Sequence, residues 1–148
     1  MADAHPDDAR PRITLDQMVA DAKARIEELT VEQLQAEIEA GDVTVIDIRD
    51  VRERWEKGAI PGAKSMPRGM LEFWFAPESP YFRGGLEFDR RYVLHCAGGQ
   101  RSALAAAVLQ DLGYTDVAHL EAGFNGWKAA GAAVEQVEPD PKYYPPRD

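Results

Sequence analysis

The chain has 148 residues, which suits one domain with a sizeable hydrophobic core. Its 26 acidic and 17 basic residues give a formal net charge of −9, and such a protein is repelled by nucleic acid and by anionic membranes. No apolar run is long enough to span a membrane, and the acidic N-terminus lacks the apolar region of a secretory signal. The single cysteine cannot form an internal disulfide, so we expect a cytoplasmic protein.

The first third of the chain predicts a leader, two helices and a strand. Residues 1–12 are rich in aspartate, proline and arginine and predict a disordered leader. Residues 13–29 carry apolar side chains at helical spacing to the end of the range, which predicts an N-terminal helical extension. A capping signature at Thr30 begins a second helix that Gly41 ends. The β-branched run 43–48 predicts a buried parallel strand.

The rest of the chain continues the alternation of strands and helices. Predicted strands occupy residues 63–66, 92–96 and 116–120, and predicted helical segments follow Arg49 and occupy 102–114 and 123–131. This alternation is typical of an α/β domain with a mainly parallel sheet. We assign that domain to residues 30–135 and treat the proline-rich residues 136–148 as an irregular tail.

The loop after strand 92–96 contains the only cysteine, Cys96. Ligands of open α/β sheets bind beyond the carboxyl ends of the strands, and Cys96 lies at such an end. Gly98 and Gly99 allow the backbone to turn its N–H groups inward, and the following helix adds the positive end of its dipole. Arg101 adds a permanent positive charge. These features favour a thiolate, so the sequence predicts a nucleophilic cysteine and not an inert buried one.

Three separated motifs resemble the rhodanese-like domain over residues 30–134. They read DIRDVRERWEKGAIPGA at 47–63, CAGGQRS at 96–102 and GFNGWKAAG at 123–131. The resemblance implies a parallel sheet of about five strands flanked by helices, and a catalytic Cys96 that carries sulfane sulfur as a persulfide. It implies no cofactor. The loop that would bind the persulfide consists of Ala97, Gly98, Gly99, Gln100, Arg101 and Ser102.

The length of this loop separates two activities within the resemblance. Four residues stand between Cys96 and Arg101, as in the sulfurtransferase members, whereas the related dual-specificity phosphatases have a wider loop. A sulfurtransferase that moves sulfur from thiosulfate or a persulfide to cyanide, a thiol or a protein acceptor is therefore favoured. A cysteine-dependent phosphatase or arsenate-handling enzyme, and a non-enzymatic sulfur carrier that docks a partner, remain alternatives. Ala97 replaces the basic residue found in many thiosulfate-using members, which leaves the donor open.

Four further residues are candidates for the pocket. Asp47 and Arg49 end the first strong strand at the same sheet edge, although an ion pair between Arg49 and Glu53 is the favoured interpretation. Arg68 is a candidate second contact for an anion. Trp74 belongs to the aromatic segment 70–75, which predicts part core helix and part wall, lid or docking patch beside the site.

The three histidines do not indicate a metal site. His95 adjoins Cys96, but neighbouring strand residues face opposite sides of a sheet, so we expect a packed or surface histidine and not a general base. His5 and His119 have no acidic or cysteine companions at ligand spacing.

Overall fold

A parallel sheet forms the centre of the fold. The structure, a computed structural model, describes residues 10–142. The strands within these residues are β1 (Glu27–Leu29), β2 (Thr44–Asp47), β3 (Lys64–Ser65), β4 (Tyr92–His95) and β5 (Val117–Leu120). Their order across the sheet is β1-β5-β4-β2-β3, and every neighbouring pair is parallel. The predicted α/β fold with about five parallel strands is confirmed.

Helices flank the sheet on both sides. They are α1 (Leu15–Arg25), α2 (Val31–Ala40), α3 (Val51–Lys57), α4 (Leu71–Phe75), α5 (Gln100–Asp111) and α6 (Gly123–Ala129), with a 3-10 turn at Arg68–Met70. Within residues 10–142, none of these helices has both the length and the apolar character that crossing a bilayer would need.

The second helix begins and ends where its capping residues predict. The Thr30 hydroxyl accepts a hydrogen bond from the Gln33 amide at 3.1 Å, and the Gln33 side chain accepts one from the Thr30 amide at 2.8 Å. Gly41 closes α2 with a φ of +85°, a left-handed conformation that glycine adopts without strain. These local contacts fix where α2 leads into β2.

The prediction that the N-terminal helix continues to the end of range 13–29 is wrong. α1 ends at Arg25, and Ile26 is extended with a φ of −115°. Residues 27–29 instead form the edge strand β1, in which Glu28 lies opposite His119 of β5. Three residues are too few to show strand alternation, and the partner strand lies about ninety residues further along the chain. Pairing with a distant strand therefore overrides the local helical pattern.

Successive strand residues alternate between two packed layers. One layer contains Ile46, Leu94 and Cys96 together with residues of α1, α4 and α5. The other contains Val45 and Val93 together with residues of α2 and α6. This alternation decides which side chains of each strand can meet Cys96.

The predictions for the chain ends lie partly outside the described residues. Of the leader 1–12 only residues 10–12 are described, and His5 is not among them. The proline-rich tail is described up to residue 142, and residues 136–142 contain no helix or strand.

Candidate active site

The loop that follows β4 turns sharply into α5. Gly99 has a φ of +88°, and a Cβ at this position would collide with the backbone carbonyl of Glu121. Gly123, with a φ of +66°, lies equally close to the Ala97 carbonyl. Both positions therefore need glycine, and the loop is packed tightly against the beginning of α6.

Amide groups of α6 hold the backbone around the cysteine. The Phe124 amide donates to the Cys96 carbonyl at 2.8 Å, and the Asn125 amide donates to the Ala97 carbonyl at 3.0 Å. Ala97 is half-buried, whereas Gly98 and Gln100 are exposed. The loop thus has a fixed inner side and an open outer side.

The Cys96 sulfur lies inside a ring of hydrogen-bond donors. The residue is 1% exposed, and its Sγ accepts hydrogen bonds from the amides of Gly99 at 3.2 Å and Ser102 at 3.4 Å. The Ser102 Oγ lies 3.5 Å from Sγ. Burial alone would raise the pKa of the Cys96 thiol. Hydrogen bonds from the Ser102 hydroxyl and from the loop amides outweigh burial and lower that pKa. The sequence predicts that loop amides turn toward the cysteine, and the amides of Gly99 and Ser102 do so.

Arg101 lies at the open side of this loop, held by a carboxylate. Its two Nη atoms donate to the two carboxylate oxygens of Glu53 at 2.9 and 3.0 Å. Hydrogen bonding to Glu53, together with the nearby Cys96 sulfur, raises the pKa of Arg101, so the side chain stays cationic. The pair leaves the Arg101 side chain 43% exposed in the first turn of α5, close to Cys96.

Asp47 and Arg49 form a buried ion pair in the other layer. Asp47 accepts hydrogen bonds from the Arg49 Nε at 3.0 Å and Nη2 at 2.8 Å, and from the Arg54 Nη1 at 2.8 Å. The expected pairing of Arg49 with Glu53 is wrong. Arg49 precedes α3 and turns back to Asp47, while Glu53 lies in the first turn of α3, caps Asp50 and reaches Arg101.

Arg68 and Trp74 have contacts of their own at the surface. Arg68 donates to Glu72 at 2.6 Å, and the Arg83 guanidinium stacks on the Trp74 ring at 4.0 Å from its centroid. These contacts do not bring either residue to the Cys96 sulfur, and their role in the pocket stays a prediction.

The aromatic segment divides between core and surface. Leu71 and Phe75 are fully buried, Trp74 is partly buried, and Phe73 is 51% exposed and packs edge-on against Tyr81. The expectation that about half of this segment packs a core helix is confirmed.

His95 points away from the Cys96 sulfur, as strand alternation predicts, and its Nδ1 lies 3.2 Å from the Cys96 carbonyl oxygen. It is fully buried, its ring lies 6.2 Å from that of Phe124, and its Nε2 lies 3.7 Å from the Asp47 carboxylate. Burial lowers the pKa of His95 even though Asp47 opposes this. His95 is therefore a packed, neutral residue of the other layer.

The sequence interpretation missed the surroundings of His119. This residue is fully buried, with Nδ1 2.8 Å from the Ser102 Oγ and Nε2 2.9 Å from the Glu28 carboxylate. Glu28 is 91 residues away in the chain, so no local spacing could reveal the contact. A histidine within an otherwise apolar strand was the one available signal, because buried polar groups need partners.

The fold and the loop together define the class of the protein. It is an α/β protein in which a cysteine directly follows the central parallel strand, and two backbone amides donate hydrogen bonds to its sulfur. A protein-family model, the Rhodanese-like domain, matches residues 30–130, and the chain belongs to this family.

Relatives with names that include sulfurtransferase support the assignment. The thiosulfate sulfurtransferase GlpE of Shewanella oneidensis is 35% identical over 104 residues, which are 70% of this chain and 94% of that protein. The "probable adenylyltransferase/sulfurtransferase MoeZ" of Mycobacterium tuberculosis is 31% identical over 117 residues. That match includes 78% of this chain but spans only 26% of the length of MoeZ.

A solved structure resembles nearly the whole chain. It comes from Rhodopseudomonas palustris, with a TM-score of 0.80 and 42% identity over 91% of this chain and 99% of that one. It is described as a protein of unknown function and possible tyrosine phosphatase.

Proposed function

We propose that the protein is a sulfurtransferase in which Cys96 carries the transferred sulfur as a persulfide. The observation that supports this most strongly is the Cys96 sulfur with two loop amides directed at it, at 3.2 and 3.4 Å. Such donors stabilise negative charge on Sγ before the reaction, and in the persulfide they favour negative charge near the outer sulfur. A persulfide needs a reduced thiol, which a reducing cytoplasm maintains.

The reaction has two displacement steps. The Cys96 thiolate attacks the outer sulfur of thiosulfate or of a persulfide donor. A sulfur–sulfur bond forms to Sγ, and sulfite or the donor thiolate leaves with the electron pair of the broken bond. Cyanide or an acceptor thiolate then attacks the outer sulfur, and Cys96 leaves as the thiolate that the loop amides stabilise.

Arg101 has a role in bringing the donor to the loop. Thiosulfate and small persulfides are anions, and the partly exposed guanidinium lies at the open side of the loop with its orientation fixed by Glu53. With Ala97 following the cysteine, Arg101 is the cation that the loop sequence itself supplies. Because Ala97 adds no second cation beside the sulfur, we propose persulfides as donors as well as thiosulfate.

The persulfide is tested by intact-mass spectrometry of the full chain. Incubation with thiosulfate, or separately with glutathione persulfide, should add the mass of one sulfur atom, and cyanide should remove that mass and release thiocyanate. The Cys96→Ser variant is the control and should gain no mass, because the chain has one cysteine. A folded wild-type protein that gains no sulfur from either donor would overturn the proposal.

A phosphatase is the second candidate, because the similar Rhodopseudomonas palustris protein is described as a possible tyrosine phosphatase. Against it, only four residues separate Cys96 from Arg101, which is a shorter loop than the related dual-specificity phosphatases have. Hydrolysis of p-nitrophenyl phosphate that is lost in Cys96→Ser, without formation of a persulfide, would favour the phosphatase.

A further inference from the structure

A buried chain of polar side chains runs from the cysteine to the edge of the sheet. It begins at the Cys96 Sγ, 3.5 Å from the Ser102 Oγ, which lies 2.8 Å from the His119 Nδ1. The His119 Nε2 then lies 2.9 Å from the Glu28 Oε2. Cys96, Ser102 and His119 are each at most 1% exposed, whereas the Glu28 side chain is 34% exposed. The chain therefore connects a buried sulfur to a carboxylate in contact with solvent.

The sheet topology assembles this chain. β5 lies between β1 and β4, so that His119 is directly opposite Glu28 on one side and Leu94 on the other. The side chain of His119 faces the layer that contains α5, because Ser102 in the first turn of α5 contacts its Nδ1. Two strands and one helix thus bring three polar side chains into a continuous series of contacts that ends at Cys96.

The hydrogen-bond pattern defines where the protons lie when Cys96 is a thiol. The Glu28 carboxylate can only accept, so His119 carries its proton on Nε2 and its Nδ1 is left as an acceptor. The Ser102 hydroxyl then donates to Nδ1 and accepts from the Cys96 S–H. Every group in this arrangement has a partner, and His119 is neutral.

We propose that Glu28, His119 and Ser102 form a relay that takes up the Cys96 thiol proton and so generates the nucleophile. The proposal rests on the proposed sulfurtransferase function and names the residues that prepare Cys96 for it. The Cys96 S–H bond breaks and its proton passes to the Ser102 Oγ, while the proton of Ser102 passes to the His119 Nδ1. A thiol and a neutral imidazole become a thiolate and an imidazolium, with no change in net charge or oxidation state.

Each group then has a new role in the product of this transfer. The Ser102 hydroxyl donates to the thiolate, the imidazolium donates to Ser102, and Glu28 stabilises the imidazolium through Nε2. The same arrangement stabilises Cys96 as the leaving thiolate when the acceptor removes the sulfur. His119 acts on the sulfur only through Ser102 and is therefore a positioning residue.

The surroundings of His119 act on its pKa in both directions. Burial lowers the pKa of His119, so the ring is neutral before the transfer, while hydrogen bonding and the charge of Glu28 act in the opposite direction. Glu121, which follows β5, also raises this pKa, and Lys23 of α1 lowers it. Lys23 lies 3.8 Å from Glu28 and partly offsets the negative charge that Glu28 presents to His119.

The relay is tested by the pH dependence of Cys96 alkylation with iodoacetamide, which reacts with the thiolate. In Glu28→Gln the imidazolium loses its counterion, so we expect the thiolate pKa to rise by about one unit and the rate at low pH to fall about tenfold. The plateau rate at high pH should be unchanged. Simple removal of a nearby negative charge would act in the opposite direction, because it would lower the thiolate pKa.

Glu27→Gln is the matched control, since Glu27 neighbours Glu28 on β1 but pairs with Arg91. It should leave the alkylation profile unchanged. His119→Gln keeps a hydrogen-bonding side chain but cannot take up a proton, and it should shift the profile in the same direction as Glu28→Gln. Because Glu28 is partly exposed, its variant remains informative if the buried His119 variant does not fold.

Nitrogen-15 NMR of the imidazole provides a second measurement on the wild-type protein. Below the pH of the alkylation plateau, His119 should be an imidazolium while Cys96 is a thiolate and should become neutral once Cys96 is alkylated. A neutral His119 in both states, or a Glu28→Gln profile that overlays the wild type or shifts to lower pH, would overturn the relay. Neither measurement uses a sulfur donor, so a failure here is distinct from a failure to form the persulfide.

Discussion

Replacing Asp47 with asparagine tests whether this residue stabilises the fold or shapes the pocket. Asp47 is fully buried and balances the charges of Arg49, which is 1% exposed, and Arg54, which is 7% exposed. The asparagine side chain would keep one acceptor but would leave two guanidinium groups without a buried counterion. Removing one partner of a buried ion pair costs about 3–5 kcal/mol. Since Arg54 is near enough to the surface to turn toward water, we expect a loss of about 3 kcal/mol, at the lower end of that range.

The loss is measured by urea unfolding of the full chain, followed by tryptophan fluorescence. Asp50→Asn is the matched control: its carboxylate is 47% exposed and caps α3, and asparagine caps a helix equally well, so the loss should be under about 1 kcal/mol. An Asp47→Asn protein of wild-type stability but with slower alkylation of Cys96 would refute the structural role and would place Asp47 in the pocket.

The pH dependence of the stability difference between wild type and Asp47→Asn provides a further check. Burial alone would raise the pKa of Asp47, but the hydrogen bonds and charges of its partners hold that pKa below its ordinary value. The ion pair therefore stabilises the protein fully above about pH 4, and the stabilisation is lost as pH falls through the lowered pKa. The difference in unfolding free energy between wild type and Asp47→Asn should narrow only in that acidic range.

Two more predictions concern the cysteine loop. Gly99→Ala should lower the free energy of unfolding by more than the left-handed strain of about 1–2 kcal/mol, because its Cβ would also collide with the Glu121 carbonyl. Gly84→Ala, with a φ of +76° and open space around the Cβ, is the control that measures strain alone in the same urea titration. Arg101→Gln should lower the ratio of the alkylation rates with iodoacetate and iodoacetamide about fivefold, since a charge contact of about 1 kcal/mol with the anionic reagent is lost. An unchanged ratio would show that Arg101 does not attract anions. The free energy of unfolding of Arg101→Gln should change by under about 1 kcal/mol, because the pair with Glu53 is partly exposed.

The parts of the fold that depend on local contacts could be predicted from the sequence. The α2 boundaries follow from Thr30, Gln33 and Gly41, which satisfy the helix ends with neighbours only three or four residues away. The strands before and after α5 are apolar along most of their length because both faces of the sheet are covered. β1 could not be predicted, since its hydrogen bonds to β5 replace a local pattern that favours a helix.

The same distinction holds within the candidate site. The strand, the glycines and the helix that surround Cys96 are contiguous in the sequence, so the direction of the loop amides could be inferred. The partners of Arg101 and His119 could not, because Glu53 and Glu28 reach them from 48 and 91 residues away. The incorrect pairing of Arg49 with Glu53 came from helical spacing applied to a residue that precedes the helix.

Strand alternation places the proposed chemistry of this protein and the buried Asp47 ion pair on opposite faces of the sheet. On one face of β2 and β4, Asp47 and His95 pack with charged and aromatic partners. On the other face, Cys96 meets Ser102 and, through it, His119. His95 adjoins the cysteine in sequence yet is separated from its sulfur by the sheet, whereas His119 is distant in sequence and connected to it. Substitutions on the first face should therefore change the free energy of unfolding, and conservative substitutions along the second should change the ionisation of Cys96.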